Sequence, residues 1–509
     1  MTLDAGQVVA WVDGAHAGLA LARGRIDAVN VFPVADADTG TNAWLTLEGG
    51  ARAVDELRAG GDGRALLTAF ARGAMLAARG NSGVILSQWL GGFVRRVTSA
   101  AHDEAADAVL ADALRSAARA ARQALAQPQE GTVLTLADEV AQAAALGADA
   151  GADPSSVLAQ AAAAGHQALA RISATHPVLR RAHVPDAGAC ALLVVVDALV
   201  AGVVGGTAPD PTTWLPERSG GHEVPADECG TAQAAAGGAF EVMLVVRADG
   251  PQDLADELRR GLGAVGDSVA VVGADGWWHA HVHTDDPAAA IEACAAGRRE
   301  QVVVRRLDVV DPAQAAPGSE WGLVVVTASP GLASWYATAG AVVVVGCPEA
   351  PVTAAHVRRA VEDADRPGVL VVPGGVLTGA ELETLLDLDG VELLGADDEA
   401  RAAVATLAFL TSDGPARVHA AALATGRVRV ASLEPAAVDT VLDAAVARLV
   451  ATLRADDHAS GRGQSLTVVV PGPLEDGVAA RVDAVAAAHG LEPTILSDAT
   501  AAAVLVAVD

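Results

Sequence analysis

Helical periodicity dominates the first two hundred residues. Val8, Val9, Val12, Leu19, Leu21 and Ile26 form a broken apolar stripe at helical spacing over residues 4–29, with alanine filling the gaps. The same spacing predicts helices from Thr41 to about Leu57, and over 65–78, 84–97, 103–126, 138–148, 154–173 and 187–204. No convincing strand pattern occurs within 1–203. Residues 205–237 are rich in Gly, Pro, Thr and Ala and read as a linker. Strand-like 240–247, helical 252–262, strands 268–273 and 277–283, helix 287–296 and strand 301–308 follow. That order, β-α-β-β-α-β, is the order of a ferredoxin-like sandwich. After a second linker at 311–320, short apolar runs at 323–327, 341–345, 369–372, 391–394, 417–421, 466–470 and 501–508 alternate with helices at 353–363, 381–388, 399–409, 435–453 and 475–489. Such alternation implies a largely parallel, covered sheet. The predicted chain is therefore multidomain: an all-α domain over 1–204, an α+β domain over 238–310 and an α/β domain over 321–509.

Composition narrows the chemistry. Hydrophobic residues make up 52% of the 509 positions, ample for several cores, but aromatics are only 3%, so Ala, Val and Leu must fill them. The net charge of −29 argues against nucleic acid, which needs a basic footprint, and against an anionic membrane surface. All 34 basic residues are arginine. Schiff-base catalysis, a Walker-A lysine and the strand lysine of protein kinases are thereby excluded. Cys190, Cys229, Cys294 and Cys347 are scattered and suggest neither a zinc ribbon nor a disulfide framework. The first residues lack the features of a signal peptide, and the apolar run ending at Val204 reads as a buried helix and not a membrane span, so a cytoplasmic location is expected.

The densest chemistry lies in Asn30-Val-Phe-Pro-Val-Ala-Asp36-Ala-Asp38-Thr39-Gly40-Thr41-Asn42. Pro33 keeps the segment before it out of a helix, and Gly40 permits a turn. Asp36 and Asp38 share one side of an extended segment. Two adjacent acids repel, so a cation stabilises the pair, and hard oxygen ligands suit Mg²⁺ with phosphate completing its shell. Thr39, Thr41 and Asn42 add hydroxyls and an amide suited to phosphate. The stretch precedes a helix start, where amide groups and the dipole favour anions. It is not an EF-hand loop, which would need Gly at Thr41 and Glu at Leu47. In Gly80-Asn81-Ser82-Gly83, two glycines flank small hydrogen-bonding residues, a plausible phosphate cradle.

These residues carry a resemblance. The first stretch is similar to the Asn-Val-Phe-Pro-Val-Pro-Asp-Gly-Asp-Thr-Gly-Thr-Asn signature of the fatty acid kinase A proteins. Those proteins have a DhaL-type domain related to the ATP-binding part of dihydroxyacetone kinases. Ala78-Arg-Gly-Asn81-Ser82-Gly83-Val-Ile-Leu-Ser87-Gln88 matches a second block of the same family, in the same order. Ala35 and Ala37 depart from it, standing where the family has Pro and Gly; Ala37 is less able than Gly to take unusual backbone angles. The resemblance implies a DhaL-like helical barrel that binds ATP, with Mg²⁺ on Asp36 and Asp38 and Asn30 as a further ligand. It implies nucleotide contacts from Asn81, Ser82 and Gly83, from Thr132 and Leu134 in Glu130-Gly-Thr132-Val-Leu134-Thr135, and from Asp186 and Gly188 in Asp186-Ala-Gly188-Ala189. Arg180 or Arg181, just before, has the planar fork that reaches phosphate bidentately.

His281-Val-His283-Thr284-Asp285-Asp286-Pro287 matches the family's middle domain. His279, His281 and His283 share one face of a strand and suggest a transition metal, most simply Zn²⁺. The three positions span about 13 Å, at roughly 3.3 Å per residue, too far for one ion to take all three. In the family a first-strand cysteine joins two such histidines; the aligned residue here is Ala239, so zinc on His281 and His283 competes with solvated or hydrogen-bonded imidazoles. Resemblance is weakest in the last domain. Val345-Gly-Cys-Pro-Glu-Ala-Pro-Val-Thr353 and Val372-Pro373-Gly374-Gly375-Val-Leu lack the amide and lysine side chains of the corresponding family segments.

The leading expectation is an ATP- and Mg²⁺-dependent kinase subunit. By resemblance it phosphorylates the carboxyl of a fatty acid held by a separate DegV-like binding protein, and its own last domain is DegV-like in character. Dihydroxyacetone phosphorylation is one alternative, and a non-catalytic ATP-binding regulator or scaffold is another. A homodimer is left open.

Overall fold

The computed structural model describes residues 3–32, 37–125, 128–216, 238–274, 276–307, 321–412, 414, 416–456, 465–472, 476–498 and 501–509. The linker at 311–320, most of the linker at 205–237, and Pro33, Ala35 and Asp36 lie outside the described residues. The chain divides into two compact units, Met1–Gly237 with Gly250–Val282, and Gly238–Asp249 with His283–Asp509.

The first unit is a ring of helices: α1 (Ala5–Ala28), α2 (Thr39–Leu57), α3 (Gly63–Leu76), α4 (Gly80–Ser99), α5 (Ala106–Gln123), α6 (Val133–Asp149), α7 (Pro154–Ser173), short α8 (Pro177–Ala182) and α9 (Ala187–Val204). From α1 to α7 each helix packs on its successor in the chain, and α9 returns to α1. Local signals set the ends. Asp4 and Gln7 form a capping box at α1, Asp62 caps α3, and Asp153 followed by Pro154 opens α7.

Alanine, valine and leucine fill much of this core, as the composition requires, yet its centre is aromatic. Trp11 meets Phe70 and Phe93 edge-on at 5.4 and 5.3 Å, and its indole N–H donates to the Val195 carbonyl at 3.1 Å. Glycine lets α9 lie close to α1: a Cβ on Gly202 would stand 2.9 Å from the backbone nitrogen of Trp11. Helix α9 is long and apolar enough to cross a bilayer by length and composition, but most of it is buried inside this unit. Packing also continues beyond Val204. Leu215 joins the core, and Arg25 donates to the carbonyls of Thr212 and Leu215 at 2.6 and 3.0 Å.

The first unit also takes in α10 (Ala255–Gly263), β2 (Asp267–Ala274) and most of β3 (Trp277–Thr284), the division falling inside β3. Ala270 and Val272 of β2 pack with Ala78, Val84 and Ala124 of the helical ring.

In the second unit β1 (Phe240–Arg247) pairs antiparallel with β4 (Arg298–Arg306), and α11 (Pro287–Ala293) precedes β4. The predicted β-α-β-β-α-β order is therefore present in the chain as β1-α10-β2-β3-α11-β4. β4 is joined by β6 (Val342–Val345), then β5 (Trp321–Thr327), β7 (Gly368–Val372) and β8 (Val391–Leu393). The last four run parallel and β4 runs against them. Helices α12 (Pro330–Thr338), α13 (Ala354–Asp363), α14 (Gly379–Leu386) and α15 (Glu399–Leu410) lie between or after these strands. A second sheet, in the order β11-β10-β12-β9, combines β9 (Arg429–Leu433), β10 (Ser465–Pro471), β11 (Glu492–Asp498) and β12 (Val504–Val508), with α17 (Val438–Asp456) and α18 (Asp476–His489) between them. The apolar run at 417–421, read as a strand, is instead part of α16 (Ala416–Arg427). Its buried residues Val418, Ala421 and Thr425 are spaced for a helix, not for alternation.

Candidate active site

Two helix starts of the first unit adjoin. Asp38 takes the N-cap position of α2, and Asn42 N–H donates to its carbonyl at 2.7 Å. Gly80, at φ +53°, begins α4. Thr39 and Ser82 place their hydroxyls 3.2 Å apart across this junction. Behind them Thr46 Oγ1 donates to the Asn42 carbonyl at 2.7 Å and accepts from the Arg79 amide at 3.2 Å. A Cβ on Gly83 would lie 2.2 Å from that same hydroxyl oxygen, so glycine is what lets α4 approach α2. The fold thus brings together Asp38, Thr39 and Asn42 from one sequence block with Asn81, Ser82 and Gly83 from the other.

The α2 start differs from the sequence expectation. Gly40 is helical and makes no turn; a Cβ there would stand 2.4 Å from the Arg23 carbonyl oxygen of α1. The amides of Gly40 and Thr41 do not point to open space either. They donate to Oδ1 of Asp27 at 2.6 and 3.0 Å, and the Thr41 hydroxyl donates to its Oδ2 at 2.8 Å. Burial pushes the Asp27 carboxyl up to about 6, the hydrogen bonds from Thr41 and Gly40 opposing and the Asp38 charge adding. Asp27 escaped the sequence reading because it lies three residues before the block; its only local signal was an acid at the end of a helix, where the dipole disfavours it. Ala37 sits at φ +55°, in the left-handed region where the resembled family has glycine.

A second cluster forms around the start of α6. Thr132 caps it, its hydroxyl accepting from the Leu134 amide at 3.4 Å and donating to the Gln129 carbonyl at 2.8 Å. Gly131, at φ +80°, lies against Thr175 and His176, where a Cβ would meet atoms at 2.7 and 3.0 Å. Asp186, 5% exposed, caps α9 through the Ala189 amide at 2.8 Å, and burial pushes its carboxyl up to about 6. A Cβ on Gly188 would touch Val133 at 3.3 Å, so the 131–134 and 186–188 segments are neighbours. Phe32, at the edge of the signature block, packs on the His176 ring at 4.2 Å. Arg180 is exposed on α8 and makes no ion pair among the described residues. Asp36 lies outside the described residues.

The donor set fits a magnesium–phosphate group. Asn30 is buried at the end of α1, Asp38 stands at the junction, and Asn81 Oδ1 is sealed from solvent without a hydrogen-bond partner among the described residues. Amide and carboxylate oxygens are the ligand types Mg²⁺ takes.

On β3, His279, His281 and His283 are all buried, which removes the solvated reading of these imidazoles. His281 Nδ1 lies 3.1 Å from the Ser268 carbonyl oxygen, an arrangement that suits donation to it. His283 has a neighbour that the sequence reading missed: the Glu241 carboxylate of β1 offers an oxygen within 4.8 Å of its ring nitrogen. Glu241 also pairs with Arg305. It is the one charged residue inside the apolar run Phe240–Val246, a signal present in the sequence but not used.

Comparison with known proteins defines the class. Residues 33–201 match the DAK2 domain, and residues 238–309 match the middle domain of fatty acid kinase A-like proteins. The chain is a DAK2-domain protein carrying a middle domain of the fatty acid kinase A-like type. Among its relatives, Protein YloV of Bacillus subtilis (strain 168) is 30% identical over 340 residues, 63% of this chain and 60% of that protein. Uncharacterized proteins of Staphylococcus epidermidis and Staphylococcus haemolyticus are 31% and 32% identical over 268 and 265 residues, 52% of this chain and 47% of each of those proteins. The chain thus matches between about half and three fifths of the length of these relatives.

Proposed function

We propose that the junction of α2 and α4 binds ATP with Mg²⁺ and that the chain is the phosphotransferase component of a fatty acid kinase. The supporting observation is the meeting of the Thr39 and Ser82 hydroxyls, from two blocks some forty residues apart, with Asp38 and Asn81 next to them in the chain and the Asn81 oxygen without a hydrogen-bond partner among the described residues. Asp36, Asp38 and Asn30 are the proposed metal ligands. When bound, Mg²⁺ neutralises charge on the phosphate oxygens. Ser82, Gly83 and the 131–134 and 186–188 segments are the proposed nucleotide contacts.

In this reading the acceptor is the carboxylate of a fatty acid presented by a DegV-like partner protein. One carboxylate oxygen forms a bond to the γ-phosphorus while the bond from that phosphorus to the β–γ bridging oxygen breaks, giving acyl phosphate and ADP. An ionised carboxylate needs no general base, and none is assigned. Location in the cytoplasm, where ATP is supplied, belongs to the same proposal. So does zinc on His281 and His283.

The test is ADP release by the purified chain with a DegV-like protein loaded with fatty acid, against the chain alone and against dihydroxyacetone as acceptor. Partner-dependent ADP and acyl phosphate support the reading. Turnover with dihydroxyacetone alone moves the substrate, and nucleotide binding without turnover in any arm leaves a regulator.

A further inference from the structure

An aspartate at the N-cap position ordinarily turns its carboxylate onto the first amides of its own helix. In α2 those amides are taken by a different residue. Asp38 holds the N-cap position without making that contact, while Asp27, in the last turn of α1, accepts from Gly40 N–H, Thr41 N–H and the Thr41 hydroxyl. The arrangement depends on glycine at position 40, since a Cβ there would stand 2.4 Å from the Arg23 carbonyl oxygen and 3.0 Å from Asp27 Oδ1. The end of α1 thereby grips the first turn of α2, and the two ends of the signature loop are tied to each other. Asp27 uses both oxygens on three donors of the protein, so its task is to hold α2.

We propose that Asp27 is a positioning residue that caps α2 in place of Asp38 and so reserves the Asp38 carboxylate for the metal ion of the nucleotide site; the inference rests on the MgATP reading above. Its corollary is that the first amides of α2 are not the phosphate cradle, which falls to the α4 start. Without Asp27, the carboxylate of Asp38 is the nearest acceptor in sequence for those amides, and capping then competes with metal.

The experiment uses the full chain and titrates Mg²⁺ at fixed ATP, reading the nucleotide-dependent rise in melting temperature. Asp27→Ala should melt lower without ligand and need about tenfold more Mg²⁺ for half of the rise, the scale of a lost cap. Asp27→Asn, whose side-chain oxygen can still accept from Gly40 and Thr41, should recover most of both. Asp38→Asn should weaken the magnesium response strongly in the wild-type background and add little to Asp27→Ala, because coupled residues are not additive. Should Asp27→Ala not fold, Thr41→Val, which removes one of the three donors, is expected to shift the magnesium midpoint in the same direction by less. A chain that melts lower with wild-type magnesium dependence, or equal Asp38→Asn losses in both backgrounds, overturns the inference and leaves Asp27 a plain cap. Absence of any magnesium- and ATP-dependent rise in the wild-type chain overturns the nucleotide reading itself, and the positioning role with it.

Discussion

Replacing Glu399 by glutamine should make the second unit more stable above neutral pH. Glu399 opens α15, and its Oε1 accepts from Thr327 Oγ1 at 2.7 Å and from the Tyr336 hydroxyl at 2.9 Å. Burial pushes its carboxyl up from 4.5 to about 7; the two hydrogen bonds pull down and the charges of Asp498 and Asp398 push up. The folded chain therefore holds a proton that the unfolded chain releases. The associated stability is complete below pH 4.5 and is lost as pH rises through about 7. The gap from 4.5 to 7, at about 1.36 kcal/mol per pH unit, sets a ceiling of about 3 kcal/mol. Partial exposure of the side chain lowers that figure through solvent screening. Glutamine keeps an oxygen for Thr327 and Tyr336 and does not titrate. Urea unfolding between pH 5 and pH 8, followed by hydrogen exchange in peptides from 321–345 and 396–410, gives the difference between variant and wild type. That difference cancels the effect of the other acids in this strongly acidic chain. It should grow in favour of Glu399→Gln as pH rises through 7. A difference that stays constant across the range, or a variant less stable at pH 8, would refute the burial argument.

Other substitutions test the nucleotide site and the histidine strand. Ala37→Gly should raise the melting temperature by the equivalent of about 1 kcal/mol, because the exposed left-handed position costs alanine more than glycine loses in chain entropy; a lower melting temperature counts against the loop conformation. Gly83→Ala should destabilise by about 1–3 kcal/mol, since its Cβ would collide with the fixed Thr46 hydroxyl 2.2 Å away; a neutral melting curve would mean that α2 and α4 separate easily. Asp38→Asn should fold normally yet lose about 2–3 kcal/mol of MgATP binding, roughly 30- to 150-fold, by calorimetry; unchanged affinity removes Asp38 from the metal site. For the histidine strand, metal analysis of the purified chain should find zinc near one equivalent, abolished by the double change of His281 and His283 to Ala; metal-free wild-type protein removes the zinc proposal.

Much of the architecture was legible in the chain itself. Helical spacing from Val8 to Ile26 and along the later segments located the long helices of the first unit but not short α8, because burying one face of a helix over several turns leaves a local, periodic trace. Short valine-rich runs located β5, β6, β7 and β10 for the same reason. The run at 417–421 misled because five residues do not separate a buried helix turn from a strand. The two sequence blocks named Asp38, Asn42, Asn81 and Ser82 as residues of one site. What they do to each other was decided by packing. Thr39 meets Ser82 across 43 positions, and Asp27 caps a helix that begins beyond it through contacts at 13 and 14 positions. Glu241 reaches His283 from another strand. A linear pattern records the period of burial along one element, whereas hydrogen-bond partners depend on how separate elements approach. At Gly40 and Gly83 that approach is so close that a single added carbon would prevent it.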